Sequence, residues 1–161
     1  MDYPRAATFA VAGVVVAAAL VSGPLVPGVT LTSERDVTYG GGNATVASVS
    51  LPDRATLDSG SYGQDGYYLA VPPATVRFAA LDGSPSVTYR LQIPDLGYAR
   101  STVHFLTGDV GGSYEATLRP DNLATETVRR DRYEGTVSVV VEDDAGRRRV
   151  AAGNVTVEVI E

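Results

Sequence analysis

Cysteine, lysine and tryptophan are missing from this 161-residue chain, and histidine occurs once. Without cysteine there is no disulfide and no zinc–thiolate site, so a fold outside a reducing compartment must hold by packing alone. A single histidine leaves no recognisable zinc ligand set and no partnered catalytic triad. Serine-nucleophile motifs, phosphate-cradling glycine loops and helical carboxylate pairs are missing as well. Positive charge is scarce: 13 arginines stand against 19 acidic residues, a formal net charge of −6. A nucleic-acid binder needs a basic patch that displaces counterions from phosphates, so this balance argues against nucleic acid as a partner.

What the chain does have is an uninterrupted apolar run over residues 6–21, AATFAVAGVVVAAALV, with no charge between Arg5 and Glu34. A sandwich of short strands has no use for such a segment in its core. It reads as an export signal or a membrane anchor, and its 16 residues fall between the two length classes. Gly23, Pro24, Pro27 and Gly28 end a helix where it would leave the bilayer, and Pro24 is an awkward neighbour for signal peptidase. The expected organisation is a cytoplasmic tail over 1–5, a transmembrane anchor or uncleaved signal over 6–23, a linker over 24–36 and an extracellular domain over 37–161. That makes a single-pass protein of the cell membrane, or a secreted one if the signal is cleaved. The roughly 130 residues after the first 30 suffice for one domain with a real core.

From Val37 onward the chain is a series of short runs with period two, predicted as strands over 44–51, 67–71, 74–81, 86–93, 102–107 and 114–118. Pro72-Pro73 breaks pairing and marks an edge or a sheet switch. Residues 82–85 (DGSP) read as a turn, 108–112 (GDVGG) as a hairpin loop and 123–132 as a short helical or irregular crossing. The clearest piece is a C-terminal hairpin: Val137, Val139 and Val141 alternate in one arm and Val155, Val157 and Val159 in the other, with Asp143-Asp144-Ala145-Gly146 as the turn. The expected fold is all-β, an antiparallel immunoglobulin-like sandwich of seven to nine strands preceded by one N-terminal hydrophobic helix.

Residues 133–146 (YEGTVSVVVEDDAG) resemble the last hairpin of immunoglobulin-like modules of the PKD type in microbial surface proteins. The resemblance implies that Tyr133 ties the corner before the penultimate strand. Acidic excess without lysine resembles proteins of salt-loving archaea, whose carboxylate-rich surfaces stay hydrated in concentrated salt.

Candidate sites follow from residue type and position. Asn43-Ala44-Thr45 and Asn154-Val155-Thr156 are glycosylation sequons, the first beside a glycine triplet read as flexible and exposed. Glu142, Asp143 and Asp144 gather carboxylates at a hairpin tip, a weak calcium candidate, and Arg147, Arg148 and Arg149 across the turn can neutralise them. His104 lies between Val103 and Phe105 and points to the face opposite them. Tyr62, Tyr67 and Tyr68 fall in SGSYGQDGYY, a Gly, Ser and Tyr mixture of the kind adaptable binding loops use. No catalytic residue and no cofactor is expected. The expected role is structural, adhesive or protein-binding in the cell envelope, with the membrane, other envelope proteins or glycans as partners. A rival reading resembles archaeal pilins and archaellum accessory subunits, with Arg5-Ala6 mimicking a prepilin-peptidase site.

Overall fold

The alternating valines build the centre of the molecule. A computed structural model describes residues 40–60, 66–107 and 112–160. In it the C-terminal hairpin runs through β9 (Arg132–Asp143) and β10 (Gly146–Ile160), joined by Asp144 and Ala145. Val137, Val139, Val141, Val155 and Val157 are fully buried, as period two demands of a half-buried hairpin. The residues that line one face of β5 (Ser86–Ile93), namely Val87, Tyr89, Leu91 and Ile93, are equally buried, and β5 pairs with β9.

The remaining strands among the described residues are β1 (Gly41–Ser50), β2 (Arg54–Ser59), β3 (Tyr67–Ala70), β4 (Ala74–Ser84), β6 (Tyr98–Phe105), β7 (Ser113–Ala116) and β8 (Asp121–Leu123). They form two sheets, one of order β1-β4-β7 and one of order β6-β5-β9-β10-β2-β3-β8. Side chains from both sheets join in one buried cluster. Ala44, Val76, Phe78 and Ala116 come from the smaller sheet, and Leu57, Leu69 and the valines from the larger. Each fully buried Val or Leu side chain contributes about 1.5–3 kcal/mol, so this cluster replaces the missing disulfides as the source of stability. Among the described residues no helix is long and apolar enough to cross a membrane. The expected helix over 6–23 and the linker over 24–36 lie outside the described residues.

The all-β expectation holds, and Pro72-Pro73 does carry the chain from the larger sheet (β3) to the smaller (β4). Several details differ. Ten strands occur among the described residues rather than seven to nine, and β2 runs parallel to β10, so the sheets are not wholly antiparallel. Strand β2 itself escaped the sequence reading because RATLDS follows a Pro-Asp pair and buries only Ala55 and Leu57.

Residues 82–84 are no turn; they extend β4 against β1. Gly42 and Gly83, both at positive φ, touch backbone to backbone there, and a Cβ on Gly42 would sit 2.2 Å from the Asp82 carbonyl oxygen. Pro85, which has no N–H for the ladder, marks the step into β5 and the other sheet. Nor do the strands flanking 108–112 form a hairpin: β6 pairs with β5, whereas β7 pairs with β4 across the sandwich. Residues 121–123 are strand β8, and the crossing after them is a turn in which Thr127 N–H donates to the Ala124 carbonyl.

Candidate functional site

The two features that most resembled chemistry are both built into the walls of the sandwich. Asp143 ends β9 with its carboxylate turned inward and buried. It accepts 2.8 Å hydrogen bonds on both oxygens from Arg148, one of 3.2 Å from the Ala44 N–H and one of 3.1 Å from the Ala145 N–H. Arg148 also donates to the Ala44 carbonyl. Burial pushes the Asp143 carboxyl up, but the hydrogen bonds from Arg148, Ala44 and Ala145 and the guanidinium charge outweigh it, so the acid sits below its ordinary range. Glu142 and Asp144 point to solvent instead. The three carboxylates therefore do not converge on a cation, and among the described residues no three His, Cys, Asp or Glu groups are placed to hold a metal. The calcium candidate gives way to an ion pair that fastens β1 to the hairpin.

His104 does face away from Val103 and Phe105, as expected. Those two apolar side chains are the exposed ones, at 49% and 54%. Every second residue of β6 points instead toward residues 114–121. Tyr98 O–H and Arg100 donate to Asp121 at 3.0 and 2.8 Å, and Thr102 Oγ1 accepts from the Arg119 N–H at 3.2 Å. With its proton on Nε2, His104 donates to the Thr117 carbonyl at 2.8 Å and accepts from Tyr114 O–H at 3.0 Å. This is a ladder made of side chains, joining β6 to an antiparallel segment that runs from β7 of the smaller sheet to Asp121 of β8, the opposite edge of the larger one. Burial, then the hydrogen bond and charge of Asp121, push the Tyr98 phenol up to about 12, with Arg100 opposing.

An open groove lies elsewhere, at β2 and β3. In β3 the side chains of Tyr67 and Leu69 pack on the core while Tyr68 is 43% exposed. Tyr68 lines a groove of about 420 Å³ together with Arg54, Val71, Pro72, Leu118 and Pro120. The wall at Pro72 is pinned from behind: the buried Tyr89 O–H donates to the Pro72 carbonyl at 3.2 Å, and burial pushes that phenol up to about 12. Two prolines, an exposed aromatic face and the Arg54 guanidinium, which has no partner among the described residues, line this open groove. Of the predicted tyrosines the structure thus places Tyr68 in the groove and Tyr67 against the core, while Tyr62 lies outside the described residues. Arg54, Leu118 and Pro120 were missed. Only Pro72-Pro73 hinted in the sequence that an element ends beside open surface.

Both sequon asparagines are solvent-exposed, and both lie within strands. Asn43 stands opposite Asp82 in β1, so its neighbours Gly41 and Gly42 are paired strand residues rather than a flexible lead. Asn154 stands opposite Thr136 in the middle of β10. No protein-family model matches the chain, and a search of curated proteins finds no significant relative.

Proposed function

We propose that this chain is a membrane-anchored binding module of the cell envelope, an immunoglobulin-like sandwich displayed outside the cell by the apolar segment over 6–23. The observation that carries the reading is the Tyr68 groove, an open binding surface on a domain whose titratable clusters are occupied in holding the fold. Two structural points support the immunoglobulin-like assignment. The order β1-β4-β7 facing β6-β5-β9-β10 separates consecutive strands into two sheets as a Greek key does. The Tyr133 hydroxyl, at the start of the penultimate strand, accepts the N–H groups of Arg129 and Arg130 at 2.6 and 2.9 Å, the arrangement of a tyrosine corner. The additional β2–β3 hairpin, inserted between β1 and β4, builds the groove. Display outside the cell rests on the apolar run and on a core that needs no thiols.

The test is proteolysis of intact cells followed by membrane washing at alkaline pH. The proposal expects protease to remove a tag at Glu161 and the untreated protein to stay with the membrane. A protected tag would contradict export, and release into the wash would contradict the anchor. The N-terminal residue of the native protein separates the rivals: a start near Ala6 or Ala7 favours a pilin-like subunit, and one between Leu20 and Pro24 a secreted protein.

A further inference from the structure

We infer that the outer face of the seven-stranded sheet is a binding site for acidic polysaccharide, with Arg90, Arg147 and Arg149 as its anion contacts. These arginines line a shallow hollow of about 380 Å³ that crosses β5, β6, β9 and β10. None of the three guanidiniums makes a hydrogen bond or ion pair among the described residues, whereas Arg100, Arg130, Arg132 and Arg148 are each paired with an acid. Arg54, Arg77, Arg119 and Arg129 also form no ion pair among the described residues, but this one hollow gathers three such guanidiniums in a chain carrying 19 acidic residues against 13 basic ones. Glu142 is the acid across from Arg147 in the ladder; it sits at the rim without forming an ion pair.

The register fixes the arrangement. Arg90 stands opposite Ser101 on one side and Ser138 on the other, and Arg149 stands opposite Val140, two residues along β9 from Ser138. Strand spacing and rise then put Arg90 and Arg149 about 12 Å apart at Cα, with Arg147 about 7 Å from Arg149 along its strand. Anionic groups repeating along a polymer can meet such points together, which a single small anion cannot do.

Two considerations favour a sugar polymer over an acidic peptide. Extended peptides bind sheets by adding a strand at an edge, and this hollow lies across the face. Lining the hollow with the arginines are Ser101, Ser138 and Gln92, uncharged donors and acceptors that suit sugar hydroxyls. Guanidinium forks bind carboxylate or sulfate bidentately, so contact survives high salt better than a diffuse field would. The inference stands on these arginines alone and does not depend on the Tyr68 groove.

The experiment uses the full chain in detergent, titrated onto immobilised polygalacturonate, with its fully methyl-esterified form as the neutral control. Dextran sulfate against dextran shows whether sulfate serves as well as carboxylate. Binding to the charged polymers and not to the neutral ones is expected, weakened about tenfold by Arg90→Gln and by Arg149→Gln. Arg77→Gln removes the same charge from an exposed site on the other sheet and should leave binding unchanged. Arg149→Lys keeps the charge and loses the fork, and should weaken binding to a smaller degree. Absence of binding overturns the proposal. So does an equal loss in Arg77→Gln, which would reduce the effect to net charge, and so does poly-glutamate binding as tightly as polygalacturonate.

Discussion

Along one side of the sandwich β1 meets the β9–β10 hairpin through a buried carboxylate. Along the other, β6 meets residues 114–121 through a row of half-exposed polar side chains. On the first side a few strong contacts converge on one point: Asp143 takes the Ala44 N–H, Arg148 takes the Ala44 carbonyl, and the Asp144 N–H donates to Gly42. On the second side the contacts are spread over Tyr98, Arg100, Thr102 and His104, each meeting its own partner near solvent. A charge withdrawn from water is costly to leave unpaired, whereas an exposed contact is readily replaced by water. The β1 side should therefore fail when one residue changes, and the β6 side should lose stability by small steps.

Changes where β1 docks and at the tyrosine corner of the hairpin should have the largest effects. Gly42→Ala places a Cβ against the Asp82 carbonyl at a positive φ, and should cost about 4 kcal/mol in denaturant unfolding from strain and overpacking together. Tyr133→Phe, at the corner that feeds the hairpin, leaves the Arg129 and Arg130 N–H groups without their acceptor and should cost about 2 kcal/mol. Acid should act through the same side. Asp143 titrates below its ordinary value when folded, so its contribution is complete above the unfolded carboxylate pKa of about 3.9 and is lost as pH falls through the lower folded value. The melting temperature should drop as pH falls below about 4, and Asp143→Asn should flatten that drop.

The β6 side should respond less. His104→Ala should cost about 1 kcal/mol or less, since Thr117 and Tyr114 can turn to water. A loss as large as that of the Gly42 variant would remove the distinction between the two sides. Alkali offers an independent reading, of that side through Tyr98 and of the groove wall through Tyr89. Tyr98 and Tyr89 prefer to stay neutral in the fold, so the stability they add is present below about pH 10 and is lost as pH rises toward 12. Ultraviolet titration of the folded protein should show a phenol fraction ionising near 12, reduced in Tyr98→Phe.

The sheets were readable wherever period two coincided with burial, as in β5, β9 and β10, because alternation reports which face a strand hides. The sandwich closures were not. Asp143 looks like its neighbours Glu142 and Asp144 in sequence, and only the register with Arg148 and the approach of Ala44 turn it inward. On β6 the usual sense of amphipathicity is reversed, with Val103 and Phe105 outward and His104 inward; alternation alone placed His104 opposite its neighbours but could not show which face the fold covers. The Tyr68 groove was half legible: the loop composition indicated a binding surface, but Arg54, Leu118 and Pro120 come from distant segments brought together by the β2–β3 hairpin and its pairing to β8. The arginine face was read as neutralising the hairpin acids, and of the three hairpin arginines only Arg148 does so.

The claim that the acidic hairpin tip is a structural lock is tested most directly by a double-mutant cycle on Asp143 and Arg148, followed by denaturant unfolding of the full chain. The account predicts that Asp143→Ala and Arg148→Ala each destabilise and that the double variant is more stable than their sum implies, with a coupling of about 1.5 kcal/mol or more. Additive effects, or a stabilisation of the wild type by calcium that Asp143→Ala abolishes, would contradict it.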